Sequence, residues 1–260
     1  SPPNTIINLL KMLNIVLNEG VDPFDHVYRG GKLSFKKLED ITDFEDLYDE
    51  YQKIVDYYAE LCVDAQINSY KLMNEEVAFV FNSILMDGCI EKGKALLDGG
   101  ATYMGGSCET FGNTNTADAL YAIKKLVFED HKYTLRQIND ALVADFNGYE
   151  KMRRDLWNVA KYGNDIPEVD EIAVRVYQSI SNAIRDTGIR KGLQYYAIVI
   201  INNNTNTFWG LKTSASADGR HAGVYLNPSN NPQGGADVSG PTAMLNSLVK
   251  IDPHLNVGSV

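Results

Sequence analysis

The sequence predicts a helix-rich α/β fold, and three features carry that expectation. Over most of the chain, apolar residues recur at three- and four-residue steps, the spacing of amphipathic helices. Residues 193–201 (LQYYAIVII) break that rule, being β-branched and aromatic and apolar on both faces. Such a run reads as a strand buried on both sides, typical of a parallel or barrel sheet. The third feature is residues 206–250. This stretch opens on the apolar run TFWGL, passes through Asp218-Gly219-Arg220 into a polar loop, and closes on Gly240-Pro241, a helix start. Long loops inside a domain are functional or disordered, and the flanking strand and helix signals mark this one as an ordered loop at a site.

Taken in order, the elements follow from local chemistry. Asn4 or Thr5 can cap a first helix with an apolar stripe of Ile6, Leu9, Leu10, Leu13, Val16 and Leu17, ending at Gly20. Residues 21–42 read as a loop. Asp43 then caps a long amphipathic helix, expected to reach Tyr70. Residues 77–86 (VAFVFNSILM) fit a buried strand or a buried helix, which periodicity does not separate. A helix is expected over 89–97, a short strand over 101–104 and a Gly/Ser/Asn loop over 105–114. Further helices cover 116–128, the stretch from a Thr134/Gln137 capping box to Phe146, and 148–161. Pro167 suits the first turn of the next helix, striped by Val169, Ile172, Val176, Ile180 and Ile184. We read 1–260 as a single domain. Its ends, Ser1-Pro2-Pro3 and an extended-looking Val257-Gly258-Ser259-Val260, look cut from a longer protein.

Composition narrows the function classes. A formal net charge of -10 argues against nucleic-acid binding, which needs a basic patch. There is no apolar run long enough for a membrane span and no signal-peptide pattern, so neither a membrane nor export is expected. Three scattered cysteines, Cys62, Cys89 and Cys108, suggest neither a disulfide framework nor a zinc site, and a reducing cytoplasm is the simplest compartment.

Candidate chemistry is sparse. Residues 99–113 (GGATYMGGSCETFGN) do not fit G-x-G-x-x-G, and no phosphate-loop lysine follows. GGSCE lacks the last glycine of a nucleophile elbow and has no Asp and His partners in order. Cys108 has no nearby base to lower its pKa and reads first as an ordinary semi-buried thiol. The four histidines lack ligand spacing, so no metal site is expected, and His221 reads as a loop residue. Asp218-Gly219-Arg220 is a turn by residue type, with an Arg220–Asp pair as a structural clamp of the loop.

Several segments together resemble one family, the glycyl radical enzymes of the pyruvate formate-lyase-like group. Asn8-Leu9-Leu10-Lys11 with Asn18-Glu19-Gly20-Val21-Asp22 looks like the helix after the family's active-site cysteine loop. Ala117-Asp118-Ala119-Leu120-Tyr121-Ala122-Ile123-Lys124 looks like its A-D-S-L-x-A-I-K motif, and Tyr162-Gly163-Asn164-Asp165 with Val169-Asp170 like its F/Y-G-N-D…V-D motif. Gly210, Thr213, Asp218-Gly219-Arg220 and Ala222-Gly223 look like its G-x-x-T…D-G-R-x-A-G motif. Gly235-Ala236-Asp237, Gly240-Pro241-Thr242-Ala243 and Ser247-Leu248-Val249-Lys250 complete the series. Each motif alone is weak, but their order is specific.

The resemblance implies a barrel of two antiparallel half-sheets wrapped by helices, of which this chain would form one half. In the family a backbone glycyl radical passes to a cysteine thiyl, which abstracts hydrogen from the substrate. This sequence has no cysteine before Cys62 and no R-V-x-G-Y motif, so neither radical residue is matched, no residue is assigned a catalytic role and no cofactor is assigned to this chain. The implied function is a segment of a radical lyase, dehydratase or C–C bond-cleaving acyltransferase acting on a small metabolite in anaerobic metabolism, inactive by itself. A non-catalytic scaffold or a split subunit on the same fold is the alternative. The implied partners are a small-molecule substrate, a radical S-adenosylmethionine activase for the parent protein, and a second copy in a homodimer. Trp209, Thr213 and Ser214 are the pocket candidates, with Tyr103 and Cys108 as further substrate-binding candidates.

Overall fold

The computed structural model describes residues 4–200 and 204–255. The chain runs β1 (Thr5–Asn8), α1 (Leu9–Leu17), α2 (Phe44–Glu76), α3 (Val80–Leu85), α4 (Cys89–Lys92), β2 (Gly105–Phe111), α5 (Asn113–Ile123), α6 (Leu135–Val143), α7 (Glu150–Asn158), α8 (Pro167–Arg190), β3 (Tyr195–Val199), α9 (Thr205–Leu211) and α10 (Pro241–Val249). This is the helix-rich α/β fold that the periodicity predicts. The three strands form one parallel sheet in the order β1-β2-β3, with Thr5 opposite Cys108 and Glu109 opposite Val199.

Helices cover one face of that sheet. Ile7, Cys108, Tyr196 and Ile198 point to the covered side and are buried. α8 packs against α2, α5 and β3 and is the backbone of the core. On its α2 side, the Tyr48 and Ser179 hydroxyls share a hydrogen bond of 2.7 Å, and the Arg175 guanidinium lies 3.6 Å from the Tyr48 ring centroid. On its β3 side the approach is so close that a Cβ at Gly188 would fall 2.3 Å from the Tyr196 Cβ. The opposite face of the sheet is open. Ile6 is 41% exposed and Tyr195 48%, while Ser107, Glu109, Ala197 and Val199 are half-buried between them.

Capping signals were reliable guides. The Asp43 carboxylate accepts from Asp46 N at 2.8 Å and starts α2, which continues past Tyr70 to Glu76. The Thr134/Gln137 box closes in both directions, at 3.2 and 2.9 Å. Pro167 opens α8 and Pro241 opens α10.

Several local expectations are corrected. The first helix does not start at Asn4 or Thr5: residues 5–8 are β1, and Asn8 caps α1 by accepting from Lys11 N at 3.1 Å. Thr5-Ile6-Ile7 is β-branched and finds a partner strand, which a local helical count does not register. The expected loop over 105–114 is largely β2, and the expected strand over 101–104 is a turn. Glycines in β2 are there for space, since a Cβ at Gly105 would sit 2.4 Å from the Tyr195 ring. Residues 80–85 form a helix, but an exposed one, with Phe81 at 74% and Leu85 at 67%. The apolar run Thr207–Leu211 that opens the long loop is the helix α9. Its Gly210 lets the returning chain cross, since a Cβ there would lie 2.3 Å from the Val224 carbonyl. The strand expected over 193–201 is β3, but it is buried on one face only: Tyr195 is exposed and Ala197 and Val199 are half-buried on the other. Its Ile201, the Ser1-Pro2-Pro3 start and the extended stretch at 257–260 lie outside the described residues.

The α8–β3 contact yields a direct test. Gly188→Ala forces a methyl into the Tyr196 side chain and should destabilise the chain by about 1–3 kcal/mol, the usual cost of overpacking. A lower urea midpoint at unchanged m-value would show it.

Candidate functional site

The carboxyl end of β1 is tied to the segment after α9. Asn8, besides capping α1, donates through Nδ2 to Thr213 Oγ1 at 2.9 Å. Thr213 is fully buried, and its hydroxyl donates onward to the Trp209 carbonyl at 2.7 Å. The Trp209 ring lies 6.5 Å from Phe111 at the end of β2 and 5.5 Å from Phe208, centroid to centroid. Beside it lies a cavity of about 470 Å³, lined by Ile6, Asn8, Lys11, Arg29, Trp209 and Lys212 among others. In α/β sheets, ligands gather outside the carboxyl ends of strands, and this cavity is at such an end.

The loop that follows is ordered, and residues 213–220 are all buried. Arg220 is its anchor, only 2% exposed. The guanidinium donates to the carbonyls of His221 at 3.0 Å and Val224 at 2.8 Å, to Ser214 O, and through Nε to Ser216 Oγ at 3.1 Å. Ser216 in turn donates to Asp218 Oδ1 at 2.5 Å. Arg220 and Asp218 therefore meet through a hydroxyl and the loop's own carbonyls. Burial pushes the Arg220 pKa down from its ordinary value, and Asp218 opposes that shift. Gly219 takes φ +91°, which the turn between the two requires.

α5 holds this loop from outside. Asn115 donates to Asp218 Oδ2 at 2.7 Å and accepts from Asn227 N at 2.8 Å. Asn227 Nδ2 donates to Thr114 Oγ1 at 3.0 Å, and Thr114 donates to the Asn231 carbonyl at 2.9 Å. His221 is half-exposed, 3.1 Å from the Asp145 carboxylate, whose same oxygen accepts from Ala222 N. Arg153 reaches the Gly219 carbonyl at 3.0 Å.

A second polar network joins the remaining motif segments. Asp118 on α5 is fully buried and accepts from Tyr162 N at 2.8 Å. Burial pushes its carboxyl pKa up to about 8, against the opposing pull of Lys161 and of that hydrogen bond. Lys161 Nζ closes the end of α7, donating to Leu156 O at 2.7 Å, Val159 O at 2.9 Å and Trp157 O at 3.0 Å. Asn164 donates to Ala236 O at 2.8 Å and accepts from Ser239 N at 3.0 Å. Lys250 bridges Asp165 and Asp170, each at 2.7 Å.

The sequence-derived site residues are not all brought together. Trp209 lines the cavity, Thr213 backs it, and Ser214 offers its carbonyl to Arg220. Tyr103 is 80% exposed in the turn before β2. Cys108 is fully buried on the helix-covered face, beside Cys62. Hydrogen bonding with Cys62, then burial, pushes its pKa up, away from a reactive thiolate. Sequence reasoning assigned no site role to Asn8, Asn115 or the open-face group of Asn4, Ser107 and Glu109. Asn115 had one signal, its place just before the Ala117-Asp118 motif, whereas the open-face residues became recognisable only with the register of β2. Among the described residues no group of three His, Cys, Asp or Glu could hold a metal ion, and no helix is long and apolar enough to cross a membrane.

A parallel half-sheet covered by helices on one face, with a buried Asp-Gly-Arg loop at its carboxyl end, is a wall of a glycyl radical enzyme barrel. The chain belongs to the pyruvate formate lyase-like family, whose model matches residues 3–208. It is 28% identical to trans-4-hydroxy-L-proline dehydratase of Clostridioides difficile over 97% of its own length and 32% of that protein's. It is 32% identical to the probable dehydratase YbiW of Escherichia coli K12, over 84% of this chain and 28% of that one. Among solved structures, the glycerol-bound B12-independent glycerol dehydratase from Clostridium butyricum superposes with a TM-score of 0.88 at 30% identity, covering 95% of this chain and 31% of that one. The chain thus spans about a third of the length of its curated relatives.

Two variants test the networks. Arg220→Ala strips five carbonyl and hydroxyl oxygens of their buried donor and should cost about 3–5 kcal/mol in urea unfolding; Arg220→Lys, which cannot fork to them, should recover less than half. Asp118 gives a pH test. Its folded pKa of about 8 lies above its ordinary 3.8, so the contribution of the neutral form is complete at low pH and is lost as pH rises toward 8. Asp118→Asn keeps an acceptor for Tyr162 N but cannot ionise. Its stability relative to the parent sequence should therefore rise between pH 4 and 8, read from paired urea titrations.

Proposed function

We propose that this chain is one wall of a glycyl radical lyase or dehydratase acting on a small metabolite. It supplies pocket and barrel surface, not the radical residues. The observation that carries the reading is that its separated motif segments are tied to one another by side-chain hydrogen bonds and ion pairs. Asn115 holds Asp218 of the Asp218-Gly219-Arg220 loop, Asp118 holds Tyr162 N, Asn164 holds the Ala236 carbonyl and Lys250 pairs with Asp170, and the family model covers the positions of Asn115, Asp118, Asn164 and Asp170. The named relatives favour the lyase side over acyl transfer: they are a hydroxyproline dehydratase, a sulfopropanediol dehydratase, decarboxylases and an isethionate sulfite-lyase.

In the parent protein the radical supplies a hydrogen-abstracting centre. Residues of this chain would position the substrate and keep water from it. Trp209 presents an apolar ring to the cavity. Thr213 and Ser214 hold the floor beneath it, the first through Asn8 and the second through Arg220. Asp218 and Arg220 fix the loop, and Tyr103 and Cys108 are assigned no direct contact with substrate. A radical S-adenosylmethionine activase would install the radical on the parent.

The test is electron paramagnetic resonance. After anaerobic treatment with such an activase, the full-length parent protein should show a glycyl radical doublet. The 260-residue chain treated in the same way should show none. A doublet from this chain, or silence from the parent, would overturn the reading.

A further inference from the structure

Among the described residues, the open face of the sheet carries one charged side chain, on Glu109. Glu109, central in β2, accepts from Asn4 Nδ2 at 3.0 Å, and Asn4 Oδ1 accepts from Ser107 Oγ at 2.7 Å. Strand register surrounds this group with apolar neighbours: Glu109 lies opposite Ile6 on one side and Val199 on the other, and Ser107 lies opposite Ala197. Among the described residues Glu109 makes no ion pair. The cations bordering the Ile6 side are engaged elsewhere. Lys11 and Arg29 are bound by Asp22, Arg29 also by Asp25, and Lys212 lies over the Phe208 ring at 4.2 Å.

An ionised carboxylate on an apolar wall costs free energy once the wall is closed, unless a donor meets it. Asn4 satisfies one oxygen, leaving acceptor capacity turned outward. Such a group attracts hydroxyls and ammonium ions and repels carboxylates and sulfonates, and it acts most strongly where water is excluded. The net charge of -10 works in the same direction, since it does not steer anions toward the chain.

We propose that Glu109, held by Asn4 and Ser107, is a specificity residue of the parent enzyme's pocket. It accepts a hydrogen bond from a hydroxyl or ammonium group of the substrate and excludes substrates with an anionic end. This rests on the glycyl radical reading above. It runs against what one set of relatives suggests, because the chain is 34% identical over 170 residues to an isethionate sulfite-lyase of Bilophila wadsworthia.

Ethanolamine and isethionate share a hydroxyethyl group and differ in the charge of the other end, so they isolate this effect. The activated full-length protein is assayed anaerobically with glycerol, propane-1,2-diol, ethanolamine and isethionate, with the radical doublet measured in each preparation. Turnover is expected with at least one of the first three and not with isethionate. Glu109→Gln should raise KM for the accepted substrate by roughly 10-fold, the loss of one charge-assisted hydrogen bond, with kcat little changed and radical yield intact. Glu109→Asp should restore part of that loss, which a purely structural role for the carboxylate would not show. Absence of the doublet from the wild-type protein sinks the glycyl radical reading itself. With the doublet present, the inference is overturned by turnover of isethionate, by turnover of none of the four compounds, or by an unchanged KM in Glu109→Gln.

Discussion

The fold depends on a buried guanidinium. Arg220 sits at 2% exposure inside a loop that has almost no regular structure, where backbone carbonyls would otherwise lack partners. A helix or strand satisfies its own backbone; an irregular buried segment cannot, and an outside donor must do so. Arginine is suited to this because one rigid fork reaches several oxygens, and its charge is not readily lost. Asp218 provides the countercharge through Ser216, and Asn115 fixes Asp218 from α5. The loop can therefore be long, polar and still rigid, and that rigidity lets Thr213 and Trp209 stay beside the strand ends.

The same logic extends through the second network. Lys161, Asn164, Asp165, Asp170 and Lys250 each lie near the end of a helix or in the chain between helices, and Asp118 reaches the chain after α7 from the middle of α5. They substitute side chains for the backbone partners that helix ends lack. Lys161 is the clearest case, with three carbonyls near the end of α7 bound by one ammonium. Burial pushes both Asp118 and Lys161 toward their neutral forms, while each opposes the shift in the other. Such networks contribute specificity of arrangement more than net stability, because desolvation offsets much of the attraction.

These physical roles explain which parts of the structure could be read from the sequence. Capping residues act within one turn, so Asp43, Thr134, Pro167 and Pro241 announced their helices correctly. The motif segments were recognisable because their residues are the ones that hold separated elements together. What could not be read was whatever depends on a distant partner. Thr5–Asn8 is a strand only because β2 lies beside it, and β2 is a strand whose glycines make it look like a loop. α9 has a strand-like composition, but it is a helix that the returning loop crosses closely at Gly210. Trp209 and Thr213 were named as pocket candidates under the family resemblance, from their place at an expected strand end and in the loop after it. The place of Glu109 on the open face could not be read from the sequence, because the face on which a strand residue lies is fixed by register, and a one-residue slip reverses it.

The two faces of the sheet are under different constraints. On the covered face, Gly188 against Tyr196 and Cys108 beside Cys62 leave little freedom, because any change in volume must be absorbed by a close-packed core. On the open face α9 meets the carboxyl end, where Trp209 packs near Phe111, while Ile6, Ser107, Glu109 and Val199 are exposed or half-buried and can vary with little cost to the fold of this segment. A charged residue in such a place is not needed for stability, since an apolar one would serve the sheet equally well. Its neighbours nevertheless orient it: Ser107 donates to Asn4, and Asn4 donates to Glu109. A chain of oriented side chains ending in a carboxylate with free acceptor capacity is a directional feature, and the direction is away from the helices. In a barrel wall, the face without helices is the one that can meet a small molecule. The polar residues on that face are therefore the ones whose identity stability leaves open.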